Sequence, residues 1–241
     1  MAQLIINTGT VANDGTGDYV RVAWTKANAN FTELYAADVV LSGSISDLQD
    51  RFVSAAQTYY VATTGNDANP GTVGSPFATL QKAIDVACTL IPTTPGLTHT
   101  IQLGDGTYST TGNRLRPTPT GEGIVIQGNA GNAAAVVIQT SGTAASGLLY
   151  KTTAEGPYTV QNLTLSSGHS SRLIRADGGA QSAFSNIRFG QADSAAHIHV
   201  GAAAQVSVNG NYSVVGSAYA HFEVAGPGHV QGAGRTVTLT G

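Results

Sequence analysis

Val160-Gln161-Asn162-Leu163-Thr164-Leu165 comes back 24 residues later as Phe184-Ser185-Asn186-Ile187-Arg188-Phe189, with apolar, polar and Asn positions in the same order. A period of that size fits one coil of a β-solenoid, in which each coil lies on the one before it. The match predicts that Asn162 stacks on Asn186 as an amide ladder. Working outward, the surrounding chain has the same texture from Thr100 onward. Short apolar runs such as Thr100-Ile101-Gln102-Leu103, Ile124-Val125-Ile126, Val136-Val137-Ile138, Leu148-Leu149-Tyr150 and His197 to Val200 are separated by Gly, Asn, Ser and Thr. No helical periodicity runs through them. A β-sandwich also produces many short strands with turn signals, and the repeat favours the solenoid over it. The last third, rich in Ala and Gly, repeats less clearly, which leaves irregular coils and strands shared between subunits both open.

Upstream of the strands the pattern changes. Tyr59-Tyr60-Val61-Ala62 reads as a strand and Thr64 to Gly71 as a long turn region. Pro76 stands where a helix is expected to start, and Phe77, Leu80, Ala83, Ile84, Ala87 and Cys88 form one apolar face at helical spacing. A helix there would cover the open end of the first coil, whose core otherwise meets water. Cys88 is the one cysteine, so no disulfide forms within the chain, and its apolar setting makes it a core residue.

The N-terminal stretch reads as an extended piece, Gln3 to Asn7, a turn at Asn13-Asp14-Gly15-Thr16-Gly17, and a helix for which Asp18 supplies the N-cap. Val20, Trp24, Ala27, Phe31 and Leu34 recur at alternating steps of four and three, a heptad seam. Leu41, Ile45, Leu48 and Phe52 continue the register, with Asp38 the polar exception. Ser42-Gly43-Ser44 interrupts it, and Ser44 with Asp47 resembles an N-cap, so two helices are expected, near 18–37 and 45–55. They could fold as a hairpin on themselves or associate into a short multi-stranded bundle. The narrowness of the seam favours association, because a short helix is marginal unless its stripe is buried against something.

Composition narrows the function. Hydrophobic residues make up 41% of the 241-residue chain, enough for a core, but only 10% are charged, against roughly 25% in an average soluble domain. So few charges leave a surface either covered by other subunits or rich in uncharged polar groups. A net charge of −3 with scattered Lys and Arg argues against nucleic-acid binding. No apolar run approaches the ~18 residues of a membrane span, and no secretory leader is evident where polar Asn7, Thr8 and Gly9 follow Leu4-Ile5-Ile6. The expectation is a soluble protein made in the cytoplasm.

Two stretches carry a resemblance. Residues Ile6 to Tyr35, INTGTVANDGTGDYVRVAWTKANANFTELY, resemble the N-terminal attachment segment of tailed-phage fibre, spike and baseplate proteins. Residues Tyr59 to Ala87, YYVATTGNDANPGTVGSPFATLQKAIDVA, and then Thr100 to Tyr108, resemble the opening of pectate-lyase-like right-handed parallel β-helices. The resemblance implies a mainly β phage tail fibre or tailspike. Residues 1–56 would form the virion-attachment segment and helical neck, 57–98 the first strand and an α-helical cap, and 99–241 the body of a right-handed parallel β-helix. It implies a homotrimer located in the virion, with tail or baseplate proteins and a host-surface glycan as partners, no nucleic acid or membrane insertion, and no cofactor. The low charge and the heptad seam support the oligomer independently.

Many such solenoids cleave polysaccharides, so the alternative is a depolymerase, as glycoside hydrolase or lyase. A hydrolase needs two carboxylates facing one groove. Asp177, in Arg175-Ala176-Asp177-Gly178-Gly179, is the best acid, with Arg175 beside it as a lyase-type base. One coil further from Asp177 stands Gly201 instead of a second acid, so no catalytic assignment is made. Arg172 and Arg175 with Tyr150 and Tyr158 could bind a glycan, since aromatic rings stack on sugars and Arg donates to hydroxyls or acids. His197 and His199 form His-Ile-His, which an extended strand turns to one face. Without a third ligand the pair is a weak metal candidate, and no metal site is assigned.

Overall fold

The computed structural model of the protein describes residues 4–8, 10–11, 14–142 and 146–240. Gln3, Asn13 and Gly241, assigned above to an extended piece, a turn and the β-helix body, lie outside the described residues. The chain divides into two compact units, Met1–Phe52 and Val53–Gly241.

The first unit contains one helix, α1 (Val20–Gln49), of 30 residues. It corrects the expectation of two helices. Ser42, Gly43 and Ser44 stay helical, and Ser44 Oγ donates 3.0 Å back to the Val40 carbonyl within the helix instead of capping a new one. Nor does Asp18 cap α1: Tyr19 holds the N-cap position without a side-chain bond. The Asp18 carboxylate accepts the Asn7 N–H at 3.0 Å and lies 2.6 Å from Lys26 Nζ, because that cation and a returning backbone offer it more than the helix end does. The chain before α1 folds back along it. Asn30 clamps Leu4 at both ends, accepting its N–H and donating to its carbonyl, and Lys26 donates to the Ile5 carbonyl. Asp14 fastens the intervening turn by accepting from Thr10, Val11 and Thr16, bonds that hold its carboxyl far below the usual range.

The second unit is mainly β, with long parallel sheets compatible with a β-solenoid. One sheet runs through strands Thr58–Val61, Thr98–Leu103, Gly123–Gln127, Tyr158–Ser166, Gln181–Phe189, Gln205–Val208 and His229–Gln231, each hydrogen-bonded to the next in parallel. A second runs Asn113–Arg114, Leu149–Lys151, Ile174–Ala176, Ala196–Val200, Ala220–Val224. Alternate residues of these strands face the core, which is why Ile101, Ile124, Ile126, Leu163, Phe184, Ile187 and Ile198 are fully buried. Each such side chain contributes roughly 1.5–3 kcal/mol of burial.

The 24-residue period holds in space. Val160 lies opposite Phe184, Leu163 opposite Ile187 and Leu165 opposite Phe189. Asn186 Nδ2 donates 3.0 Å to Asn162 Oδ1, so the expected amide ladder forms. Both asparagines have positive φ, 60° and 49°, a conformation Asn adopts more readily than other side-chain-bearing residues. That kink lets one strand serve two neighbours: Tyr158 to Gln161 pair with Ile124 to Gln127, while Thr164 to Ser166 pair with Val137 to Gln139.

Helix α2 (Leu80–Ala87) buries Leu80, Ala83, Ile84 and Ala87 in the same core as Phe77 and Cys88. It starts four residues after Pro76, because Thr79 is the N-cap and accepts from the Lys82 N–H. Asp67 locks that start by accepting from the Ala78 and Thr79 N–H groups, 2.9 Å each, and from Thr79 Oγ1 at 2.8 Å. The Pro76 carbonyl instead receives Asn66 N–H and Asn69 Nδ2. Gly71 is required in this turn: its φ is +78°, and a Cβ would sit 2.2 Å from the Phe77 ring.

Candidate functional site

The second sheet assembles a charged cluster. Its register places Arg114, Tyr150, Arg175, His199 and Glu223 side by side, one per strand. Ile174, Ala176, Ile198 and Val200 are buried in the core, so Arg175 and His199 between them turn to the opposite face. Arg172 holds Glu223 in a two-point bond, Nε to Oε2 at 2.9 Å and Nη2 to Oε1 at 3.2 Å. Arg175 Nε lies 2.6 Å from Asp177 Oδ2. The His199 ring stands between the two acids, Nδ1 2.9 Å from Glu223 Oε2 without the alignment of a hydrogen bond, and Nε2 3.5 Å from Asp177 Oδ1.

Asp177 and Glu223 are therefore the acid pair of this face. Stepping 24 residues from Asp177 leads to Gly201, but stepping twice from Arg175 leads through His199 to Glu223, and that is the signal by which the sequence could have revealed it. Gly201 has its own function in the cluster: a Cβ there would meet Asp177 Oδ1 at 2.6 Å and His199 Nε2 at 3.1 Å. The bare backbone leaves the space that brings carboxylate and imidazole together.

The cluster pairs its charges internally. The Arg172 guanidinium, then His199, pull the Glu223 carboxyl down to about 2, so near neutral pH it is ionised and has no proton to give a leaving group. A glycosidase acid needs the opposite shift. Roughly a third of the Arg172 and Glu223 side chains is exposed, so solvent screens the pair and its stabilising effect is modest.

The other singled-out residues separate. Arg172, Arg175 and Tyr150 belong to the cluster's face, with Tyr150 next to Arg175 in register. Tyr158 is completely buried, its hydroxyl donating to the Arg116 carbonyl at 2.9 Å and 3.1 Å from Cys88 Sγ; this core position removes it from any glycan surface. His197 and His199 have different partners. The His197 ring faces His221 and the Gly190 carbonyl, whereas His199 faces Asp177 and Glu223. Among the described residues no group of three or more His, Cys, Asp or Glu is arranged to hold a metal ion.

The stripe on α1 is the second candidate surface. No residue of the helix is buried. Val20, Trp24, Phe31, Leu34, Leu41, Ile45, Leu48 and the following Phe52 are all exposed, Trp24 by 65% and Leu34 by 61%, and Ala27 is half-buried. Because α1 is continuous, the heptad positions run down one rod about 45 Å long, at 1.5 Å per residue.

These features define a mainly β protein of parallel sheets preceded by an N-terminal helix. Residues 63–177, slightly under half of the chain, match the model of a family described as protein of unknown function (DUF1565), one often associated with right-handed β-helix proteins. No curated protein and no solved structure matches the chain.

Proposed function

We propose that the protein is a structural component of a tailed-phage tail, a fibre, spike or adaptor. Its N-terminal unit docks to the tail or baseplate, and its β unit serves host-surface recognition or attachment of another fibre. In this reading the β unit is a right-handed parallel β-helix with α2 covering its first coil. The observation that carries the proposal is the exposed heptad stripe on α1. Left in water, such a stripe is an association surface, and its alternating spacing suits parallel copies of the same helix. Leu34, Leu41 and Leu48 occupy d positions, Trp24, Phe31, Ile45 and Phe52 a positions. Asp38, the one charged a residue, would fix the register, as single polar core residues do in coiled coils. The expected assembly is a homotrimer, and the low charge of the chain agrees with surfaces covered by subunits. The test is incorporation into particles: Phe31→Asp is expected to abolish it, and normal incorporation of that variant would overturn the reading.

A depolymerase remains the second reading, because Asp177, His199 and Glu223 do gather on one face. It predicts reducing ends or unsaturated uronides from host polysaccharide, lost on Asp177→Ala. The internal charge pairing and the ionised Glu223 favour the structural reading. Purified protein that leaves host polysaccharide intact would support it.

A further inference from the structure

A histidine pair on the last two strands of the second sheet, His197 buried and His221 half-buried, is unrelated to the charged cluster and to the α1 stripe. His197 lies in Ala196–Val200 and His221 one coil on, in Ala220–Val224. Their Nδ1 atoms are 3.0 Å apart. His197 Nε2 is 2.7 Å from the Gly190 carbonyl, and His221 Nε2 is 3.0 Å from the Tyr212 hydroxyl. Phe189 lies against both rings and Phe222 against His221.

The chemistry of the ends fixes the direction of this chain. A carbonyl only accepts, so His197 Nε2 carries a proton and, in the neutral ring, Nδ1 is the acceptor. His221 Nδ1 must then donate, leaving its Nε2 to accept from Tyr212 O–H. One added proton can be absorbed, because His221 changes tautomer and the Tyr212 hydroxyl turns round. A second cannot: it sets N–H against N–H across 3.0 Å, between two cations in an aromatic pocket.

We propose that His197 and His221 form an acid-sensitive latch, which holds strands Ala196–Val200 and Ala220–Val224 together while it carries at most one added proton and releases the C-terminal strands when both rings are charged. The groups facing the pair are the Tyr212 hydroxyl, the Gly190 carbonyl and the phenyl rings. Glu223 and His199 lie next to the pair in sequence but are engaged with Arg172 and Asp177, and among the described residues no carboxylate is bonded to either latch ring. Burial depresses both rings, and the charge of His197 adds to the effect on His221, taking it from 6.5 to about 4.

The sign follows. The opened chain takes up protons below about 6.5, the ordinary histidine value, while the closed latch resists until about 4. The closed form is therefore fully favoured above that window and loses ground as pH falls through it. For one ring with that shift the closed-to-open ratio falls by roughly 300-fold. Glu223 titrates well below the window. His99, also buried and depressed, adds acid sensitivity in strand Thr98–Leu103 of the first sheet, so the reading belongs on the C-terminal segment.

Deuterium uptake of the full chain, corrected for the intrinsic pH dependence of exchange, should rise across residues 205–239 between about pH 7 and about pH 4.5. His221→Phe, which cannot be protonated, should blunt that rise. Unchanged uptake in this segment, or an equal rise in the variant, overturns the proposal. Should the variant fail to fold, nitrogen NMR of the unaltered protein decides. The latch predicts that at least one of the two rings titrates well below 6.5, and two rings both titrating near the ordinary value contradict it.

Discussion

Asn162 and Asn186 show how much one residue type can determine. The sequence placed them one coil apart, and the structure adds that both hold a left-handed backbone at the kink where a strand passes from one neighbour to another. The kink was not legible, because the repeat reports which residues stack and not which φ they adopt. Asn186→Ala keeps the kink in a residue that resists it and removes the amide bond to Asn162. The expected cost is about 1–3 kcal/mol in chemical denaturation, and Asn186→Gly, which relieves the backbone, should cost less. The charged cluster teaches the same lesson from the other side. Arg172, Arg175 and Asp177 were visible as candidates, but Glu223 emerges only when the period is applied to Arg175, since the line from Asp177 ends at a glycine that must be small.

Among elements, α1 departs most from its sequence. Ser42-Gly43-Ser44 reads as a break by propensity, yet the helix carries through, with Ser44 bonded back to Val40. Continuity of the heptad stripe across the interruption was the stronger signal. Gly43 is then an ordinary interior helix residue with open space around its α-carbon, and Gly43→Ala should raise the helix's stability by about 1 kcal/mol, read as a higher midpoint in thermal melting followed by circular dichroism. At α2 the apolar face was legible from spacing, but the start was not, because Pro76 mimics a first-turn proline while Asp67 and Thr79 make the actual cap. Asp67→Ala removes three accepted bonds and should cost about 1–2 kcal/mol in urea unfolding, more than Asp67→Asn.

For the whole molecule, the parallel β architecture was legible because a period in sequence becomes a spacing in the fold, whereas the charge pairing that keeps Glu223 ionised beside Arg172 was not, because it joins residues two coils apart. Partners were not legible, since an exposed apolar stripe does not name what would cover it. Self-association is the central claim, and it is measured most directly by sedimentation equilibrium of the full chain at micromolar concentration. The mass should be that of three chains of 24.5 kDa, falling to one chain in the Leu34→Asp, Leu41→Asp double variant. A single-chain mass for the unaltered protein would contradict the account.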